Sequence, residues 1–373
     1  MPRTLKKPAA KPVGKARAYD KLAAMFSDLE PASDILKKVV VVPTLLPQMD
    51  HALRIGGLPL QRTTIVHGPT HEGKSSLCLV LIASFLARKH MGCLIDAERT
   101  TTIDWVRGMV GKLADDKVRF KAGRPDTYEE TILMVRKWLK ALRTAREEGL
   151  VDEDTGGILV VDSLRKLMPE GELEMIMGEK DATAGRSGQR RAQMNAAWFD
   201  ELVPMLDHAM AAAVVIAREM EDTSGDVWAK RMGMDWKLGG GKSVGFEAAV
   251  AMRVTRQSYT KRGDEIVGER HKVMVWKNKC AGKDGRNTLW YFHTSNGTDC
   301  PEGHDPIRDY AELGEKLGLS PDGSSFAGTK FRGRDAMIKA LREKPEMMAE
   351  LEKQVRANME RKPLEHDEDG VIQ

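Results

Sequence analysis

Residues 68–75 read Gly-Pro-Thr-His-Glu-Gly-Lys-Ser, which satisfies the spacing G-x-x-x-x-G-K-[ST]. The chemistry such a loop offers is anion capture. Gly68 and Gly73 let successive backbone N–H groups converge on a phosphate, and the helix that follows adds the partial positive charge of its N-terminus. Lys74 is the residue to neutralise β- and γ-phosphates, and the Ser75 hydroxyl the one to hold Mg²⁺. The whole run Gly68, Pro69, Thr70, His71, Glu72, Gly73, Lys74, Ser75 and Ser76 would then wrap a nucleoside triphosphate. An isolated glycine-rich turn containing a lysine would lack the apolar strand Thr63–Val66 in front and the helix-compatible Ser75–Lys89 behind.

Two carboxylates complete a hydrolytic set. The run Gly157-Ile-Leu-Val-Val-Asp162 is an apolar strand ending in an acid, and Asp162 at its carboxyl end would enter the Mg²⁺ shell. The run Leu94-Ile95-Asp96-Ala97-Glu98 is a second such strand, and Glu98 is the candidate base that orients water for attack on the γ-phosphate. Read alone, Asp162 is one of the many aspartates that end buried strands, and Glu98 also fits a helix cap or an ion pair.

These residues need a scaffold that brings strand ends together. Short apolar runs at Thr63–His67, Gly92–Asp96, Gly157–Asp162 and Val214–Ala217 alternate with helical spacing at Ser75–Lys89, Asp104–Leu113, Thr127–Arg146 and Ala192–Met210. Near-continuous apolar strands separated by helices predict an α/β domain with a mostly parallel sheet and helices on both faces. Further runs at Ala248–Val254, Val273–Trp276 and Thr288–Phe292 lack helices between them and predict an antiparallel extension of that sheet. Upstream, Tyr19–Leu29 has the spacing of a short amphipathic helix and Ile35–Val42 that of a strand. Arg332–Met359 returns to helical spacing as part of a small α/β C-terminal domain.

Composition narrows the class. A chain of 373 residues with 41% hydrophobic and 31% charged residues is expected to be globular. Its longest uncharged apolar stretch, Ala209–Ala217, falls well short of the roughly 20 residues that cross a bilayer. No secretory signal pattern opens the chain, so a cytoplasmic protein without membrane contact is expected. Cys78, Cys93, Cys280 and Cys300 are scattered without a C-x-x-C pair, which points to neither a metal site nor a disulfide. The net charge of +4 is modest, but the first 17 residues hold Arg3, Lys6, Lys7, Lys11, Lys15 and Arg17 with no acid, a basic arm suited to a polyanion. Residues 365–369 form an acidic tail.

The motifs, taken with Ala52–Arg62, Gly239-Gly240-Gly241, Val275–Lys279 and Arg332–Glu346, fall in the order of the bacterial RecA recombinases, which this chain resembles from about residue 19 to 360. Its divergence suits a phage-encoded relative as well as a host one. The resemblance implies a RecA-type P-loop ATPase core at 51–298, preceded by a basic arm (1–18) and an oligomerisation unit (19–50). A C-terminal domain (299–361) and an acidic tail (362–373) follow. It implies ATP and Mg²⁺ as cofactors, Lys74, Ser75, Glu98 and Asp162 in the roles given above, and Trp105 as the ring that stacks on adenine. Lys277 and Lys279 would reach across a subunit interface to a neighbour's nucleotide.

The resemblance also implies two DNA loops, about 169–191 and 219–241. Arg186, Arg190 and Arg191 in the first, and Trp228, Lys230, Arg231, Trp236 and Lys237 in the second, are the candidate contacts to phosphates and bases. One position departs from the pattern. Arg218 stands where a glutamine senses the γ-phosphate, and it would either contact that phosphate or turn away into an ion pair with Glu219. The expected function is a DNA-dependent ATPase that forms filaments on single-stranded DNA and pairs it with homologous duplex in recombination and DNA repair. A RecA-fold motor (helicase or branch-migration ATPase) and an ATP-binding scaffold or mediator with DNA-uncoupled hydrolysis are the alternatives.

Overall fold

The runs read as buried strands lie side by side in one sheet. The computed structural model describes Met25 and residues 38–177, 187–222, 236–281, 286–293 and 303–359. The chain divides into two compact units, Met1–Val39 and Val40–Gln373. Met25 apart, the expected helix Tyr19–Leu29 lies outside the described residues, as do the basic arm and the acidic tail.

The second unit opens with strand β1 (Val41–Val42), helix α1 (Pro47–Leu53) and strand β2 (Leu58–Pro59), the two strands pairing antiparallel. The core then follows as β3 (Thr63–His67), α2 (Lys74–Ala87), β4 (Met91–Asp96), α3 (Ile103–Val110), β5 (Phe120–Gly123), α4 (Tyr128–Glu147) and β6 (Gly157–Asp162). After it come α5 (Glu170–Ile176), α6 (Ser187–Ala209), β7 (Ala211–Ile216), β8 (Glu219–Glu221), β9 (Trp236–Leu238) and α7 (Lys242–Glu247). The long strands β10 (Val250–Arg262) and β11 (Glu265–Asn278) precede β12 (Arg286–His293) and β13 (Gly303–His304).

Among the described residues, nine strands form the main sheet in the order β13-β12-β11-β10-β3-β7-β6-β4-β5. From β5 to β10 neighbours run parallel, and from β10 to β13 they run antiparallel. The parallel strands β3, β4, β6 and β7 are buried on both faces, which is why they are apolar at consecutive positions. Within β6, Ile158 and Val160 face the layer holding α2 and α3, while Leu159 and Val161 face the layer holding α4 and α6. Each such side chain removed from water contributes about 1.5–3 kcal/mol before the entropy of ordering the chain is charged against it.

Several elements differ from expectation, β1 (Val41–Val42 for Ile35–Val42) and α6 (starting at Ser187 for Ala192) among them, and three of the differences have a local cause. The strand read as Val214–Ala217 runs Ala211–Ile216, because burial between β3 and β6 overrides the weak strand preference of three alanines. The helix read as Asp104–Leu113 stops at Val110, and a 3-10 turn over Gly111–Asp115 continues it, with Gly111 at φ 68°. The edge strand β5 has two central residues exposed to solvent and so no apolar run to announce it.

The C-terminal segment packs α8 (Pro306–Lys316), α9 (Arg334–Glu343) and α10 (Pro345–Met359) around Leu313, Met337, Leu341 and Leu351. Two short strands, β14 (Ser325–Phe326) and β15 (Thr329–Lys330), pair antiparallel beside them. This segment meets α1 through buried polar contacts: the Gln48 amide group donates to Asp309 at 2.7 Å, and Arg356 lies 3.8 Å from Asp50.

Candidate nucleotide site and the loops beside it

The carboxyl ends of β3, β4, β6 and β7 open on one edge of the sheet, where ligand crevices of open α/β folds form. The turn after β3 is glycine-dependent at its first position. A Cβ on Gly68, which has φ 147°, would stand 2.1 Å from the Val254 carbonyl oxygen. At the other end, Gly73 has φ 79° and a Cβ there would meet the His271 ring at 2.7 Å. The loop is thereby pressed against β10 and β11, and α2 starts at Lys74.

The Lys74 ammonium donates to the Pro69 carbonyl at 2.5 Å across the mouth of the turn. Its pKa is lowered by burial, against the pull of Asp162, Glu219, Glu98 and Glu72. The Ser75 hydroxyl donates to Asp162 Oδ2 at 2.5 Å. Burial raises the Asp162 carboxyl to about 6; the Ser75 bond opposes that rise and the nearby Glu98 and Asp96 add to it. Asp96 stands opposite Asp162 across the β4–β6 ladder. Two backbone bonds to the Asp162 carbonyl, from Ala97 (2.8 Å) and Glu98 (3.1 Å), hold the chain beyond β4. The Ser163 hydroxyl donates to Glu98 Oε1 at 2.8 Å. Behind Glu98, Arg124 donates to Asp96 Oδ2 at 3.1 Å, and Arg99 pairs with Asp126.

One cavity of about 1010 Å³ gathers Gly68 to Ser76, Glu98, Trp105, Asp162 and Arg218. Trp105 is half-buried on α3, its ring resting on the core layer beside α2. The residues fit a nucleotide with Mg²⁺: a turn too tight for a Cβ, a half-buried ammonium, and a hydroxyl and a carboxylate within 2.5 Å as hard oxygen donors.

Arg218 is exposed, and among the described residues its side chain forms no ion pair. Glu219 is taken instead by His67 (3.0 Å) and Arg253 (2.6 Å), so the pairing of Arg218 with Glu219 is not formed. Lys277 and Lys279 lie away from the cavity. The Lys277 ammonium donates to the carbonyls of Gly245 (2.6 Å) and Phe246 (2.9 Å), and Lys279 to that of Phe246 (2.9 Å), at the C-terminal end of α7 where cations are favoured.

The loop residues divide. Arg186, Trp228, Lys230 and Arg231 lie outside the described residues. Arg190 is exposed on α6, and Arg191 pairs with Glu172 of α5. Trp236 packs on the protein, its ring 4.3 Å from that of His67 and 5.2 Å from that of Trp276. Lys237 stands 3.8 Å from Asp222 across the β8–β9 hairpin. Sequence reasoning passed over His67, Arg253, Arg256 and Trp276. The one local signal was a histidine closing a buried apolar strand immediately before Gly68.

Comparison with known proteins agrees with this geometry. The family model described as the RecA N-terminal domain matches residues 32–284. Protein RecA of Syntrophus aciditrophicus is 27% identical over 336 residues, covering 89% of this chain and 88% of the relative. Protein RecA of Chlorobium limicola is 29% identical over 317 residues (83% and 80%), and that of Thermus thermophilus 27% over 324 (86% and 85%). With the family match spanning more than half of the chain and the crevice built at the matching strand ends, the chain belongs to the RecA family as a divergent member.

Proposed function

We propose that this chain is an ATP-dependent DNA recombinase, assembling on single-stranded DNA and promoting homologous pairing and strand exchange in recombination and repair. The observation that carries this reading is the gathering of Lys74, Ser75, Glu98, Asp162 and Arg218 in one cavity whose rim is the stem of the second loop. When bound, ATP with Mg²⁺ supplies the phosphoryl group whose transfer to water is the reaction.

Lys74, now bonded to Pro69, would hold phosphate oxygens, and Ser75 and Asp162, now bonded to each other, would hold the Mg²⁺. With Oε1 of Glu98 occupied by Ser163, Oε2 remains to orient the attacking water and take its proton. The Trp105 indole offers a flat apolar face to adenine. Lys277 and Lys279 leave the α7 carbonyls to meet the nucleotide of an adjacent subunit, which ties turnover to self-association. Arg190, with the basic residues of both loops, meets DNA phosphates and makes affinity fall with salt.

The test is pairing itself. Single-stranded DNA, a homologous or a heterologous duplex, ATP and Mg²⁺ are mixed with the protein, and joint molecules are resolved on a gel. Joint molecules with the homologous duplex alone are expected. Their absence under conditions where the protein coats single strands would contradict the reading.

A further inference from the structure

His67 is the last residue of β3, fully buried, and follows none of the roles given to the phosphate loop. Both of its ring nitrogens are engaged. The Trp276 indole donates to Nε2 at 2.7 Å, and Nδ1 lies 3.0 Å from Glu219 Oε2. An indole N–H only donates, so Nε2 accepts, and Nδ1 carries the hydrogen that it gives to the carboxylate. The ring is therefore neutral and held in one tautomer.

The same carboxylate takes two bonds from Arg253, at 2.9 and 2.6 Å, in the forked geometry that makes such pairs strong. Arg253 stands directly opposite His67 on the β3–β10 ladder. From β9, Trp236 packs on His67 with the two rings tilted by 47° and carries the Arg253 guanidinium 5.6 Å from its ring centre. Both strands of the β8–β9 hairpin are thus fastened to the end of β3, one through Glu219 and the other through Trp236. The hairpin's own closure adds the bond from Gly239 N–H to the Arg218 carbonyl at 2.8 Å.

The consequence falls on Arg218. Its sequence neighbour Glu219 is taken by His67 and Arg253, so Arg218 stays exposed and unpaired with Glu219 at the cavity it lines. On the other side, His67 is bonded through one peptide to Gly68, the first residue of the phosphate loop. Trp276, which holds Nε2, immediately precedes Lys277. One imidazole joins the phosphate loop, the stem of the second loop and the strand bearing Lys277.

We infer that His67 is a positioning residue: it holds Glu219, and through it Arg218 and the β8–β9 stem, in fixed register with the phosphate loop, so that phosphate occupancy is felt in the hairpin. This deepens the reading of Arg218 as the cavity's phosphate-sensing cation and rests on it. A purely structural role for His67 would leave the hairpin's response to nucleotide intact wherever the protein folds and binds.

The experiment is amide hydrogen exchange across Glu219–Glu221 and Trp236–Leu238, with and without a non-hydrolysable ATP analogue and Mg²⁺. In the unaltered protein the analogue should slow exchange there by about fivefold or more. His67→Phe keeps a ring of similar bulk but neither hydrogen bond. It should bind the analogue within about threefold of the original affinity while losing the slowing. His67→Asn, whose amide can donate where Nδ1 does, should restore it. If His67→Phe fails to fold, Glu219→Gln takes its place with the same expectation. Stem exchange that ignores the analogue in the unaltered protein, or slows equally in His67→Phe and Glu219→Gln, would overturn the inference. The DNA-pairing assay judges the recombinase reading separately, since the exchange measurement contains no DNA.

Discussion

At the scale of single residues, the His67–Glu219 pair makes a pH prediction. Burial lowers the His67 pKa, with Arg253 and Lys74 pushing the same way against the raising effect of Glu219. Burial works against ionising Glu219, but the bonds from His67 and Arg253 outweigh it and hold the carboxyl at about 2, below its usual 4.5. Both folded values lie below the unfolded ones. The stability they give is therefore present above the ordinary imidazole range, near 6.5, and is lost as pH falls, first through His67 and then through Glu219. Between pH 7.5 and 5.5 the melting temperature should fall more steeply in the unaltered protein than in His67→Asn, by about 2 °C or more. Parallel falls would contradict the assignment. That Lys74, Ser75, Glu98 and Asp162 share one cavity was legible because each belongs to a short motif whose spacing is fixed by local geometry. His67, Arg253 and Trp276 were not, since they meet only once β3, β10 and β11 pair, and 209 residues separate His67 from Trp276.

At the scale of elements, the strand-to-helix turn depends on how closely β3 and β10 pack. Gly68→Ala would force either φ 147° on an alanine or a retreat from the Val254 carbonyl, which lies 2.1 Å from the added carbon. The expected cost is about 1–3 kcal/mol in urea unfolding, with ATP affinity reduced at least about tenfold. Gly111→Ala is the control: φ is 68° but nothing stands within 4 Å, so strain alone should appear, about 1 kcal/mol, with affinity unchanged. Equal affinities in the two variants would show that close approach at Gly68 does not shape the loop. The parallel strands and α4 could be read from their apolar periods. The ends of β7 and the existence of β5 could not, because neighbours rather than composition hold Ala211–Ala213 and the exposed β5 in the sheet. The stem formed by β8 and β9 was equally hidden, each strand being three residues long.

At the scale of the whole molecule, the two ends of the account lie on different parts of one sheet. The nucleotide crevice sits at the parallel strand ends, while Lys277 and Lys279 sit at the far end of β11, engaged with α7 and outside the cavity. Under the proposed function, Lys277 and Lys279 would complete the site of a second copy, and the hairpin beside Arg218 would link that completion to DNA. The central claim is that DNA and ATP turnover are coupled. It is tested most directly by steady-state ATP hydrolysis with and without single-stranded DNA, using Lys74→Ala as the blank. The account predicts turnover raised about tenfold or more by DNA and abolished in Lys74→Ala, since charge neutralisation at the phosphates is lost. Hydrolysis that depends on Lys74 but proceeds at the same rate without DNA would contradict it.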